Sequence, residues 1–518
     1  MPISTSAINL AWTDNSTNEL GFKVERAPAS GGPWTQLGAT TLTGYGDSNL
    51  TAGTTYYYRV AAYNAVGDSA YSNVASATTF SATPSLWSRR FGNTQDDRGQ
   101  AVAVDTLGRV AVTGSFYGST DFGGGQVSSY VHPTLGATMD IFVAGYSANG
   151  AYSWARVIGA DSDEAGKGIA TDPSGNVLVT GYQGSYLVDY GGGPQTNRGG
   201  NDIFIAKYSS AGSWVWSKTV GGFGYDQGNA ITADATGNVF VTGYIGAGSG
   251  GADFGGGELF SAGLSDVFLV KYSPTGTHVW SQRFGGAGND TGMALATDTA
   301  GNVFVIGSFE QSVNFGGGSL TSSGLRDIFV AKYSPTGAHL WSKKFGSTGD
   351  DVGYGLAVDS AGDVVITGKF QSSVGFGGPS LTSTGGDDIF LAKLSGANGG
   401  HIWSKGFGST SGDVGLGVSV DSNKFVALTG YFTGSINLGG TLLSGSGLDV
   451  FVAKYDSAGT HQWSKRFGGF DTQIGNSVAM SPGGNVSVTG YFSTTIDLGS
   501  GVMTSLGSYD AFVASIGP

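Results

Sequence analysis

Residues 293–309 read Met-Ala-Leu-Ala-Thr-Asp-Thr-Ala-Gly-Asn-Val-Phe-Val-Ile-Gly-Ser-Phe: two apolar runs of strand length around a Gly-Asn turn. Such runs predict a β-hairpin with both faces covered. A long loop containing Asn314-Phe315-Gly316-Gly317-Gly318 follows, the chain re-enters a strand at Asp327–Tyr333, and a Pro-Thr-Gly turn leads into the strand of Trp341. The same wording recurs along the chain. Its tryptophans stand at Trp87, Trp154, Trp216, Trp280, Trp341, Trp403 and Trp463, 60 to 67 residues apart. A fixed period of this size marks a repeat architecture in which each unit buries its apolar faces against its neighbours.

Four strands per unit and seven units predict an all-β, seven-bladed β-propeller over residues 85–518. Repeat material begins with a Trp strand, 86–92, and ends with an Asp-x-Phe strand, 510–516. The ring is therefore expected to close by pairing these two segments in one blade, which removes an exposed sheet edge.

Residues 1–80 carry no copy of the repeat, and 81–84 read as a linker. Ile8–Trp12, Phe22–Arg26 and Tyr56–Tyr63 alternate or run apolar between Gly and Asn clusters, which predicts a small antiparallel sandwich. This stretch resembles a fibronectin type III domain, an immunoglobulin-like β-sandwich. Trp12 matches that family's core tryptophan, Leu50–Val60 its tyrosine-corner segment with Ala52 where a proline is usual, and Asn64–Ser72 its turn and last strand; the first strand is truncated. The resemblance implies a spacer or a weak adhesion module. The repeat units resemble the bacterial SBBP beta-propeller repeat, which implies architecture and no activity.

Without cysteine the chain has no disulfide, thiol nucleophile or zinc-thiolate cluster. Its 93 glycines in 518 residues accompany 12% aromatic content, so the glycines read as turns of a folded protein. A net charge of −13 argues against nucleic acid or an anionic membrane as partner. No apolar run is long enough for a spanning helix. Abundant Ser, Thr, Gly and Asn with scarce Lys suit a monomeric secreted or cell-surface protein of a bacterium. Met1-Pro2-Ile3 leads into polar residues, so the chain is expected to begin inside a longer precursor.

Three acidic positions recur. Asp140, Asp202, Asp266, Asp327, Asp388, Asp449 and Asp510 open the third strand of each unit, where capping of a turn amide is expected. Asp105, Asp172, Asp234, Asp298, Asp359 and Asp421, with Ser481 in the last copy, begin Asp-x-x-Gly hairpins. The third set, Asp97, Glu164, Asp226, Asp290, Asp351, Asp413 and Gln473, precedes the glycine of each innermost strand at the channel mouth. These side chains either bond local backbone amides or form an acidic ring that draws a cation or basic group.

Asp161, Asp163 and Glu164 place three carboxylates ahead of Gly166 and make calcium the one candidate ion; no other cofactor is expected. His278, His339, His401 and His461 repeat on separate blades and read as packing, while His132 lies alone in a loop insertion and is the one histidine that is a candidate ligand contact. The glycine triplets read as tight turns, because none opens a helix or carries a phosphate-binding lysine. Departures from the pattern are aromatic: Tyr130, Tyr186 and Tyr190 in the second-to-third strand loops, and Phe223, Tyr225 and Phe470 where other copies have Ser, Thr or Gly. Rings among small polar residues suit carbohydrate or peptide contact. These features point to a non-catalytic extracellular binding, adhesion or scaffold module that presents its long-loop face to a carbohydrate or protein ligand. The alternatives are a polysaccharide-acting hydrolase or lyase and a purely structural scaffold.

Overall fold

β-branched runs and glycine turns give strands throughout the computed structural model, which describes residues 7–48, 50–51, 54–78, 87–134 and 136–517 and holds no helix among them. The chain divides into two units, Met1–Pro84 and Ser85–Pro518. In the first, Ala7–Ala11 pairs with Gly44–Ser48, and Thr35–Thr40, Gly21–Ala27, Thr55–Tyr63 and Ala75–Thr78 form a four-stranded sheet in that order. Ile8, Leu50 and Tyr58 make its core, and Trp12 meets Phe22 edge-on at 5.5 Å. The Tyr56 hydroxyl accepts the Thr51 N–H at 2.9 Å, as a tyrosine corner does; Ala52 lies outside the described residues, as do the 81–84 linker and Leu86. The last strand falls later than Asn64–Ser72. The Ser69 and Ser72 hydroxyls accept the N–H groups of Ala62 and Val60, so a regular ladder forms only from Ala75.

The second unit is a β-propeller of seven four-stranded antiparallel sheets, each ordered from the axis outward as in Thr291–Thr297, Val303–Phe309, Asp327–Tyr333 and His339–Phe345. The innermost strands touch in cyclic order, from Arg98–Val104 round to Gln473–Met480 and back. In the last sheet the outermost strand is Trp87–Phe91, paired with Asp510–Ile516 so that Ala511 lies opposite Phe91 and Ser515 opposite Trp87. Cores form between sheets: Phe304, Ile306 and Ile328 of one blade pack with Leu356, Val364 and Ile366 of the next.

The repeat tryptophan belongs to this contact between blades. The indole N–H of Trp87, Trp154, Trp216, Trp280, Trp341 and Trp403 donates to a carbonyl in the next blade's outer turn, at 3.0 to 3.2 Å. Each ring packs against the glycine of that turn. Gly212 shows why no other residue fits: its φ is +78°, and an added Cβ would come within 2.5 Å of the Trp154 ring.

The long loops do not stand free on one face. Most fold into two-stranded ribbons, such as Ser312–Asn314 with Ser319–Thr321, and lie back against their own blade. Phe315 stacks on Phe329 at 4.2 Å, and Gly317 sits against His339 of the outermost strand. This explains the histidine series. His278, His339, His401 and His461 bed the glycine tips of four ribbons and bond a serine three residues on; Tyr152 and Trp214 do the bedding in the first two blades.

Candidate functional site

Six carboxylates and one amide of the expected acidic ring are almost fully buried, each no more than 2% exposed. Their oxygens do not face the channel. Asp226 accepts the N–H groups of Gly222 and Gly246 at 2.8 Å each. Asp97 takes Asn93 and Tyr117, Glu164 takes Ala160 and Ser185, and Asp290 takes Gly286 and Glu310. Asp351 and Asp413 repeat the pattern with Ser347 and Gln371, and with Ser409 and Thr433. In the seventh copy the Gln473 amide accepts from Gly469 and donates to the Ser493 carbonyl. The backbone N–H of each of the six acids also reaches the preceding blade, as Asp226 to Asn201 and Asp351 to Arg326. The set is a clamp that ties each crossover to its own second strand and to the neighbouring blade. As a ligand-binding ring it is corrected: short side chains at the start of a buried strand meet unpaired loop amides before they can reach the axis.

Glu164 is thereby withdrawn from the Asp161, Asp163 and Glu164 calcium set. Asp161 and Asp163 are exposed in the preceding turn, where Asp163 accepts the Met139 N–H, and among the described residues no three such groups converge on one point. The other two acidic sets hold turns. Third-strand acids accept loop amides, as Asp327 from Ser323 and Asp388 from Thr384, and four also pair with a basic residue of the outermost strand. Hairpin acids accept two amides of their own turn and, in four blades, pair with a buried lysine at 2.8 to 3.7 Å.

Burial dominates the proton affinity of the clamp. It pushes Asp97 and Glu164 up to about 7, and Asp290 and Asp351 to about 6, against the opposing pull of their amides. In the hairpin set burial again pushes upward, but hydrogen bonds from lysine and turn together outweigh it, leaving Asp172, Asp298 and Asp359 below their ordinary value. A raised carboxyl holds its proton more tightly folded than unfolded, so its contribution is complete below the unfolded value and is lost as pH rises through the folded one. The propeller is therefore expected to melt at a higher temperature near pH 5 than near pH 8, between the ordinary carboxyl value of 3.8 and the clamp's value of about 7. Calorimetry across that window checks this, and a melting temperature that climbs toward pH 8 would contradict it.

Of the singled-out aromatics, Tyr190 is a correction. It is 2% exposed, stacks on Phe204 at 5.1 Å and donates its hydroxyl to Gln183. It stands directly before a glycine triplet, the place held by Phe122, Phe254 and Phe315 in other ribbons, a core position that the alignment of copies already marks. His132 holds its own loop, its Nδ1 within 3.2 Å of the Thr134 N–H. Tyr130 and Tyr186 are exposed in loops. Phe223, Tyr225 and Phe470 are 65%, 67% and 91% exposed, all in crossovers between blades. The Phe223 ring lies 3.0 Å from the site of a Cβ on Gly250, and the Tyr225 ring 3.1 Å from that on Gly200. Each ring thus has one side against glycine backbone and most of its surface in solvent.

Charged groups that break the repeat surround the crossovers. Arg326 makes a two-pronged contact with Asp350 at 2.6 Å, Lys369 bridges Asp350 and Asp387 at 3.0 Å, and the Arg98 guanidinium lies over Tyr491 and Tyr509 at 4.9 and 5.3 Å. No helix long and apolar enough to cross a membrane occurs among the described residues.

The sequence model of the fibronectin type III domain matches residues 1–78, and that of the SBBP beta-propeller repeat matches residues 279–308. An uncharacterized WD repeat-containing protein of Acanthamoeba polyphaga mimivirus is 26% identical over 451 residues, 71% of this chain and 32% of that protein. The regulatory protein FlaEY of Caulobacter vibrioides is 26% identical over 238 residues, 42% of this chain and 24% of its own length. The chain thus spans a third or less of these relatives. Among solved structures, Sqt1 from Chaetomium thermophilum aligns with 84% of this chain and 100% of its own at 10% identity and a TM-score of 0.40. A rhamnogalacturonan lyase of Bacillus licheniformis aligns with 95% of this chain and 84% of its own at 12% identity and a TM-score of 0.30. The chain thus matches the fibronectin type III domain at its N-terminus and the SBBP beta-propeller repeat within its β-propeller.

Proposed function

We infer that the chain is a non-catalytic binding module that presents the crossover face of its propeller to a carbohydrate or protein ligand. The observation that carries this reading is the pair Phe223 and Tyr225, two neighbouring rings that touch glycine backbone and are about two-thirds exposed. A rigid ring offers contact area at little entropic cost, and loops on a stiff scaffold are where binding concentrates. The opposite face consists of hairpins and outer turns pinned by their own side chains, as at Asp172 and Ser273. The clamp carboxylates favour binding over catalysis, since both oxygens of each already accept backbone amides.

A glycan and peptide array probed with the full chain tests this. The double variant Phe223→Ala with Tyr225→Ala is expected to lose about tenfold or more of the signal, as two aromatic anchors would. An array without a hit, or hits that the double variant retains in full, would overturn the reading.

A further inference from the structure

Every innermost strand of the propeller carries a β-bulge at the same place. The ladder shifts between Gly99 and Ala101, Gly166 and Gly168, Gly228 and Ala230, and so on through all seven blades. A bulge re-aims the extra residue. Here the bulged residue and the one after it, from all seven blades, line one cavity of about 220 Å³ on the axis. The residue after the bulge is always Gly, Ala or Ser, because neighbouring inner strands nearly touch there: an added Cβ on Gly168 would stand 2.8 Å from the Asn229 carbonyl.

The bulged residue follows no seven-fold rule. Asn476, Gln100, Lys167 and Asn229 occupy four consecutive blades, and Met293, Tyr354 and Leu416 occupy the other three. The cavity therefore has a polar arc facing an apolar arc. At the ends of the polar arc, Asn476 and Asn229 donate to the Gly99 and Gly292 carbonyls at 2.8 Å and are fixed in place. Between them, among the described residues, the Gln100 and Lys167 side chains make no hydrogen bond, and Lys167 has only the Tyr182 ring, 5.8 Å from its ammonium. A half-buried ammonium without a carboxylate partner is costly in a low-dielectric site. Burial first, and the Arg98 charge second, lower its proton affinity, so a bound anion would favour its charged form.

We propose that this axial cavity binds a small organic monocarboxylate that carries an apolar group, with the carboxylate on Lys167 and Gln100 and the apolar part against Met293, Tyr354 and Leu416. One ammonium matches one negative charge, and the cavity is below the usual drug-sized pocket, roughly 300–1,000 Å³. The site is separate from the aromatic face, so the array experiment and this one can fail independently.

Titration calorimetry of the full chain with 3-phenylpropionate, hexanoate, 3-phenylpropanamide and inorganic phosphate tests the proposal. Saturable binding of the two acids is expected, about tenfold or more tighter than that of the amide, the worth of a charge-assisted bond. Lys167→Met should abolish that preference while the fold is kept, since blade four already carries methionine at this position. Leu416→Ala should weaken the acids and keep their preference over the amide. The proposal falls if neither acid binds, if acid and amide bind alike, if phosphate competes equally, or if Lys167→Met binds the acids as the parent does.

Discussion

A chain ending at Gly507 is expected to lose the whole propeller rather than one strand of it. The missing segment contains the third strand of the last blade, whose Ala511, Phe512, Val513, Ala514 and Ile516 are at most 1% exposed. Its removal takes the ladder partner from Val486–Phe492 on one side and from Trp87–Phe91 on the other, and frees Arg90 from Asp510. Burial of larger apolar side chains contributes about 1.5–3 kcal/mol each, so the loss is on the order of 10 kcal/mol. That equals the whole stability of an ordinary domain, about 5–15 kcal/mol. Because each blade buries its faces only against neighbours, an opened ring leaves two blade faces wet as well. Tryptophan fluorescence during urea unfolding would check this. A truncated chain with the parent's midpoint and cooperativity would refute it.

The second large effect concerns the clamp. Asp226→Ala is expected to cost about 2–4 kcal/mol, because the Gly222 and Gly246 amides lose their acceptor in a buried place, at roughly 1–3 kcal/mol each. Asp226→Asn is expected to cost about half as much, roughly 1–2 kcal/mol: its carbonyl oxygen still accepts one of these bonds and it removes a charge whose burial is unfavourable, while its NH2 cannot accept the other. In the seventh blade the amide is served differently: Gln473 accepts from Gly469 and donates to a carbonyl, that of Ser493, and not toward a second N–H. Denaturant midpoints of the two variants decide the matter. Equal losses would mean that charge, and not hydrogen-bond acceptance, holds the crossover.

These effects also show what the sequence made legible. Strand positions were plain because both faces of each blade are covered, so Val303–Phe309 and Asp327–Tyr333 stand out as near-continuous apolar runs. The clamp acids were visible as a repeated position, but repetition does not say where a carboxylate points, and the choice between axis and backbone belongs to the loop amides of a neighbouring segment. Tyr190 was misread because its ring chemistry suggested contact with solvent; its place before a glycine triplet was the better signal. The bulged residues were missed for a physical reason. A one-residue bulge leaves apolar alternation almost intact and shows only as one variable position, Gln100 through Asn476, between an invariant glycine and a small residue. The foldback of the long loops could not be read at all, since it depends on the glycine tips finding His339 and its equivalents across the blade.

Seen along the clock instead of the coordinate axes, the last blade sets an order of events. Arg90 and Asp510, which meet across it, are 420 residues apart, and a nascent chain emerges N-terminus first at about 5–20 residues per second. Trp87–Phe91 therefore waits some tens of seconds for its mate while six other third strands, worded almost as Asp510–Ile516 is, come into reach. What keeps it from an earlier, wrong partner is that those third strands are already taken: each is paired by the tryptophan strand that follows it after one short turn, so that in a contest of loop lengths the local pairing wins every round but the last.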